Sequence, residues 1–316
     1  MRAAVIDTLD TAPRLQTVKD PASTSDRQVV IQVHATALNG IDLQIASGHH
    51  RAGKPQLPYI PGCESVGTII NGPDAGLRVR ALLAAGLVPG RNGGLAELQV
   101  VDRAACVPVP DGLDSETAAA IGVVGTTADL ALAKAALTAR ESVLVLGATG
   151  PLGTAFVQLA KHAGAERVIA AARHPDRLAQ LAGADGVAIL GDEPLPDQLA
   201  SLGGPVDLVV DPVWGQWAEP ALRCLKPGGR YLNVGSAGGD GLPFRMEWLR
   251  GGHLTLIGFS GASANPADLL TSYTRIATLS LTGSLTVPTV TYRLDEAGEA
   301  WAAQASSLGK KIIVTP

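Results

Sequence analysis

The chain has 316 residues, 46% of them hydrophobic and 17% charged, which is enough apolar material for packed cores and excludes a disordered polymer. Its net charge of −4 contains no basic run to hold nucleic acid or an anionic membrane, and its three cysteines, Cys63, Cys106 and Cys224, are too far apart for a disulfide framework or a structural zinc site. The opening MRAAVIDTL is too short an apolar run for a signal peptide, and no segment is long enough to span a bilayer, so a cytoplasmic protein is expected.

Five strands are predicted before Asp114, at 3–6, 28–33, 64–70, 79–83 and 95–101, separated by Gly, Pro, Asp and Asn turns, and this part reads as a small barrel. Ser115, with Glu116 and Thr117 behind it, reads as a helix cap opening an α/β part. There, Val143 to Leu146 form a strand of the kind buried on both faces, and Gly147, Gly150 and Gly153 punctuate the turn that follows. A helix is predicted from Gly153, with Phe156, Val157, Leu159 and Ala160 at helical spacing, and a second strand follows at 168–172. Further strands at 187–190, 206–210, 230–234 and 254–259 make six, alternating with helices. That pattern predicts a doubly wound parallel sheet whose ligand lies beyond the C-terminal ends of its strands. Helical runs at 266–279 and 295–307 and a strand at 311–315 complete the chain.

The glycine turn points to a dinucleotide. A diphosphate must approach the backbone amides at the helix N-terminus, and a side chain on Gly150 or Gly153 would obstruct it or separate helix from strand. Gly147, Thr149, Gly150, Pro151, Leu152 and Gly153 are therefore candidate cofactor contacts, with Ala148 replacing the first glycine of the G-x-G-x-x-G form. The end of the second strand selects the cofactor. A carboxylate there would bond the ribose 2′-hydroxyl of NAD, but Ala172 is followed by Arg173, with Arg177 one turn on, and paired guanidinium groups suit a 2′-phosphate. NADPH is the expected cofactor; solvated surface arginines are the alternative.

Eight segments in order, ATALNGIDLQIASG (35–48), PYIPGCESVGTI (58–69), GGLAEL (93–98), IGVVGTTADLAL (121–132), the nucleotide segment, VDLVVDPV (206–213), LKPGGRYLNVGS (225–236) and GKKIIVTP (309–316), resemble the medium-chain dehydrogenase/reductase superfamily, within it the zinc-independent quinone oxidoreductases and related enoyl reductases. The resemblance implies a chaperonin-10-like, β-rich catalytic domain (1–117 and 260–316) and a Rossmann NADPH-binding domain (118–259). It also implies a homodimer paired through the last Rossmann strand, near 254–259. Where the zinc alcohol dehydrogenases of this superfamily have their first metal cysteine this chain has Asn39. Where they have the histidine of G-H-E it has Cys63, and only residues 84–92 stand in place of their cysteine-rich loop. Cys63 and Glu64 do not supply the three ligands of a catalytic zinc, so no metal is expected.

Without a Lewis acid to ionise an alcohol, reduction of a quinone or an enone by hydride transfer is the natural chemistry. A carbonyl or alcohol oxidoreductase and a non-catalytic NADPH-binding protein are the alternatives. By resemblance Asn39 faces the nicotinamide ribose and Asp42 orients local groups, although both could simply cap a short helix at 41–46. His49 and His50 are candidate proton donors by their ordinary pKa, or exposed loop residues. Tyr59 reads as a packing residue, and Cys63 as an apolar filler. Thr126 and Thr127 are candidates for ribose or phosphate, or buried helix-start hydroxyls. Gly235 and Ser236, at a strand end, are expected to hold the carboxamide, and Lys311 matches the family's lysine near the cofactor phosphates. Trp214 and Trp217 read as helix packing. Loops 47–56, 88–94 and 238–250 are expected to shape a pocket for a small-molecule substrate.

Overall fold

A computed structural model describes residues 1–50, 52–82, 86–87, 91–239, 241, 244–261 and 264–316. They form two compact units. The first is Met1–Val123 with Leu269–Thr282 and Val287–Pro316, and the second is Val124–Asp268 with Gly283–Thr286. Along the chain come β1 (Arg2–Val5), β2 (Arg14–Thr17), β3 (Gln28–Ala37), α1 (Gly40–Ala46), β4 (Glu64–Ile69), β5 (Arg78–Leu82), β6 (Leu98–Asp102), β7 (Cys106–Pro108) and α2 (Ser115–Lys134). Then follow β8 (Ser142–Leu146), α3 (Pro151–His162), β9 (Arg167–Ala172), α4 (Pro175–Leu178), β10 (Gly186–Ile189), α5 (Leu195–Ser201), β11 (Val206–Asp211), α6 (Ala218–Leu222), β12 (Leu225–Asn233), α7 (Met246–Gly252) and β13 (Thr255–Gly258). The last elements are α8 (Pro266–Leu281), β14 (Thr289–Arg293), α9 (Ala297–Ala305) and β15 (Lys311–Thr315).

In the first unit the described residues give a seven-stranded sheet of order β14-β15-β3-β4-β5-β7, with β6 also on β3. Every pairing is antiparallel except β14 with β15. Alternation along β3 sends Val29, Ile31 and Val33 into a core with Ile69, Val79, Ala81 and Val101. A second core gathers Leu38, Ile45, Tyr59, Leu95, Trp301, Ile312 and Val314. The antiparallel register of β15 on β3, Ile313 opposite Ala37 and Val314 opposite Thr36, brings residues near 311 beside those near 39.

The second unit is a parallel six-stranded sheet of order β10-β9-β8-β11-β12-β13. Counted from β8, this is the 3-2-1-4-5-6 order of a dinucleotide-binding fold, whose strand order reverses between β8 and β11. All five residues of β8, SVLVL, are buried, which is why no polar alternation marks it. Leu144, Leu146, Ile169, Val209 and Tyr231 pack with Leu195 and Leu199 of α5 and Leu222 of α6, while α3 lays its buried Phe156, Val157 and Ala160 against the sheet at β8 and β9.

Several local expectations are corrected. Helix α3 starts at Pro151, not Gly153: Gly150 is the extended N-cap, and proline suits the first helical position because its missing N–H has no partner there anyway. The cap of α2 is Asp114, whose Oδ1 accepts the Thr117 amide at 2.8 Å, whereas the Ser115 hydroxyl meets His34 Nδ1 at 3.4 Å. Strand β12 starts at Leu225, ahead of the expected 230, and position 83 of the fourth expected strand lies outside the described residues. Among the described residues no helix is long and apolar enough to cross a membrane.

Candidate functional site

In the second unit, the turn after β8 is built by glycine. Gly147 has φ +59, and a Cβ on it would stand 2.7 Å from Val213 Cγ2. A Cβ on Gly153 would stand 2.3 Å from the Gly147 carbonyl oxygen and 2.7 Å from Ala148 Cα, so only glycine lets α3 start this close to β8. The Thr154 hydroxyl donates to Ala148 O at 3.2 Å and ties helix to turn. Gly150 differs: a Cβ there would meet only Gly147 O, at 3.4 Å. The space over Gly150 is open. Thr149, Gly150, Pro151 and Leu152 are half-buried around it, at the amino end of a twelve-residue helix whose first-turn amides have no carbonyl partners.

The neighbouring strand ends share this edge. Past the buried Ala172 of β9, Arg173 and Arg177 are exposed, and neither side chain makes a hydrogen bond or ion pair with a described residue. At the end of β11, Asp211 is fully buried; its Oδ1 accepts the amides of Val213 (2.7 Å) and Trp214 (2.8 Å), and its Oδ2 accepts the Tyr231 hydroxyl (2.6 Å). Burial pushes its pKa up against those bonds. Trp214 is held at φ +58, ψ −148, a conformation that glycine alone adopts readily. Its ring is edge-on to Tyr231 at 6.0 Å and stacked with Phe244 at 6.5 Å. After β12, a Cβ on Gly235 would stand 2.9 Å from Pro212 O, and the exposed Ser236 accepts the Gly239 amide on its carbonyl at 2.9 Å. The loops after β11 and β12 thus interlock backbone to backbone, and the Val213 side chain closes the first of them against the turn after β8. Thr126, buried, and Thr127, half-buried, sit in mid-helix on α2 rather than at a helix start, and a Cβ on Gly261 would stand 2.7 Å from Thr127 Oγ1.

In the first unit, Asn39 is the N-cap of α1 and Asp42 its third residue. Asp42, 1% exposed, accepts the amides of Asn39 (2.8 Å), Gly62 (3.2 Å) and Cys63 (2.8 Å), so it fixes both the helix start and the 62–63 turn. Burial raises its pKa, opposed by the Cys63 thiol, the Asn39 and Cys63 amides and the charge of Lys311. Asn39 turns its side chain the other way. Its Nδ2 donates to Ala37 O at 3.1 Å and Glu64 Oε2 at 3.2 Å, and its Oδ1 accepts from Lys311 Nζ. Glu64 is completely buried; its Oε1 accepts Arg80 Nε at 2.8 Å and the Val123 amide at 2.7 Å. Arg80, 1% exposed, lies 5.2 Å from the centre of the Tyr273 ring.

Lys311, expected beside phosphates, is 3% exposed with its amine on Asn39 and 4.0 Å from Glu64; burial lowers its pKa, opposed by Glu64 and Asp42. His49 is exposed, and His50 is half-buried with Nδ1 accepting the Ala52 amide at 3.2 Å. Tyr59 packs in the core beside Asp42 and Cys63, and burial raises its pKa. Arg80, Asp211 and Tyr231 are not singled out by the sequence; only the acid closing the apolar run VDLVVD marks one of them. Among the described residues no three His, Cys, Asp or Glu side chains gather as a metal site needs. Of the expected pocket loops, residues 51, 88–90, 240, 242 and 243 lie outside the described residues.

The family model of the alcohol dehydrogenase GroES-like domain matches residues 25–111, and that of the zinc-binding dehydrogenase matches residues 151–278. The chain is similar to the quinone oxidoreductase-like protein 2 homolog of Nematostella vectensis, 29% identical over 94% of this chain and 85% of that protein. It is 30% identical to quinone oxidoreductase-like protein 2 of Rattus norvegicus, over 76% of this chain and 69% of that one. Among solved structures it superposes on the quinone oxidoreductase of Thermus thermophilus, solved also as its complex with NADPH, with a TM-score of 0.81, 32% identity and full coverage of both chains.

Proposed function

The chain belongs to the medium-chain dehydrogenase/reductase superfamily, in its quinone oxidoreductase-like branch, and from that premise we propose that it reduces a quinone or an activated carbon–carbon double bond with NADPH and without zinc. One observation carries the choice of cofactor: β9 ends in Ala172 with no carboxylate, and two exposed guanidinium groups without partners among the described residues follow it. Such groups hold a 2′-phosphate by charge-assisted pairs. Against zinc stands the donor set. The Cys63 thiol bonds Asp42, and Glu64 already serves Arg80, Asn39 and a backbone amide, so neither is free to ligate.

When bound, the nicotinamide supplies the hydride. The Gly147–Gly153 turn, half-buried over residues 149–152, and the α3 amino end would hold the diphosphate, with Thr126 and Thr127 on ribose or phosphate. Arg173 and Arg177 hold the 2′-phosphate, and the backbone at Gly235 and Ser236 holds the carboxamide. Asn39 meets the nicotinamide ribose, and Asp42 keeps α1 and the 62–63 turn in place. His49 or His50 delivers the proton to the reduced substrate. His50 is suited to this, because a Nδ1 that accepts the Ala52 amide leaves the ring proton on Nε2.

Purified protein is expected to oxidise NADPH with at least one member of a panel of quinones, enones and enoyl thioesters. Arg173→Ala is expected to weaken NADPH binding about tenfold to a hundredfold and leave NADH binding alone. Equal handling of NADH and NADPH by the wild type would remove the phosphate role, and NADPH binding without turnover on any substrate would leave a non-catalytic binder. We further propose a cytoplasmic homodimer. Its support is β13, an edge strand among the described residues, with Leu256 41% exposed and one side open to pairing. A monomer in sedimentation velocity at micromolar concentration would rule out that assembly.

A further inference from the structure

We infer that Lys311 is a positioning residue: it fixes the carboxamide of Asn39 so that Asn39 meets its ligand as a hydrogen-bond acceptor. This rests on the NADPH-binding reading above. The sheet register sets the pair up. With Ile313 opposite Ala37 on antiparallel strands, Lys311 stands opposite Asn39, and the Leu38 amide donates to Ile312 O at 2.9 Å between them. On its other side the Lys311 amide donates to Pro288 O at 2.7 Å, so the backbone on which the lysine stands is tied to both neighbouring segments.

The amide orientation then follows from charge. Glu64 Oε1 is taken by Arg80 and the Val123 amide, which leaves Oε2 to receive Asn39 Nδ2 at 3.2 Å. The opposite orientation would set an NH2 group against the Lys311 ammonium and an oxygen against a carboxylate, and both contacts would be repulsive. Both Nδ2 protons therefore have protein acceptors, Ala37 O and Glu64 Oε2, and Oδ1 already receives one proton from Lys311. The remaining capacity of the side chain is a lone pair on Oδ1. A group left with acceptor capacity alone suits a hydroxyl donor such as that of a ribose; it does not hold negative charge developing on a substrate oxygen. Lys311, nearly out of contact with solvent, acts through Asn39 and not on the cofactor phosphates.

Two measurements test this on the full chain. Without any ligand, the Asn39 side-chain NH2, assigned by its disappearance in Asn39→Asp, is expected to give two resolved, exchange-protected proton resonances that collapse in Lys311→Met. Unchanged protection in Lys311→Met overturns the proposal whether or not NADPH binds. In fluorescence titrations with NADPH, Asn39→Ala and Lys311→Met are each expected to weaken binding about tenfold, and the double variant no further. Lys311→Gln, which keeps an N–H donor and drops the charge, is expected to recover most of the loss, and Lys311→Leu closes the cycle with Asn39→Ala if the Met variant does not fold. Losses that multiply in the double variant, or a Gln variant as weak as the Met variant, would place Lys311 on the phosphates and overturn the inference. A wild type that fails to bind NADPH overturns the functional reading instead, and the proton resonances then decide the positioning role alone.

Discussion

Gly153→Ala is expected to weaken NADPH binding by at least about a hundredfold and to destabilise the protein by about 3 kcal/mol. The added methyl would stand 2.3 Å from the Gly147 carbonyl oxygen and 2.7 Å from Ala148 Cα, both backbone, so no side chain can swing away to admit it. The helix must move off β8, which breaks the packing of Phe156 and Val157 and misplaces the amides that receive the diphosphate. Gly150→Ala separates the two effects, because its Cβ would meet the protein only at 3.4 Å. Stability should stay near wild type there while NADPH affinity falls, since the space the methyl enters is the ligand's. Thermal melts and fluorescence titrations read both. Wild-type affinity in Gly150→Ala would move the diphosphate away from this turn.

Arg80→Met should destabilise the first unit by about 3–5 kcal/mol in urea unfolding, the range seen when one partner of a buried ion pair is removed. Glu64 would keep its negative charge in a fully buried position, with Lys311 4.0 Å away and the Val123 backbone amide and Asn39 side-chain amide as remaining help. Collapse cannot relieve it, because the surroundings are filled: a Cβ on Gly122 would stand 1.8 Å from Glu64 Oε1. Most of the loss belongs to the carboxylate left behind, so the figure is not the intrinsic worth of the pair. A loss below about 1 kcal/mol would mean that water reaches Glu64 in the variant.

The parallel sheet was legible because β8, β9 and β11 are runs of Val, Leu, Ile and Ala that only a doubly covered strand buries, and each is followed by turn residues. Strand β2, RLQT, has no such run; it is almost wholly exposed and exists through its pairing with β1, so hydrophobic periodicity had nothing to report. Strands β7 and β14 escape for similar reasons, one being three residues long and the other a half-exposed edge. The glycine turn was readable as a turn, but the helix start was not, because Gly153 serves helix packing and the cap is Gly150. Asn39 and Asp42 carry a visible helix-start signal. The destination of Lys311 carries none, since its partner lies 272 positions away. Trp214 illustrates the opposite failure. Nothing in a tryptophan announces a left-handed backbone, and it holds one because Asp211 takes its amide and aromatic rings receive its side chain.

The arrangement of β3 between β4 and β15 sets an order of events during synthesis. Translation at roughly 5–20 residues per second separates Asn39 from Lys311 by about 15–50 s. Every strand of the parallel sheet leaves the ribosome in that interval and can pair. The nascent first unit meanwhile leaves unpaired only the end of one β3 edge near Thr36 and Ala37, the rest of that edge being paired with β6, and holds Glu64 with Arg80 but without the lysine. That short stretch of unpaired backbone is closed only when β15 arrives.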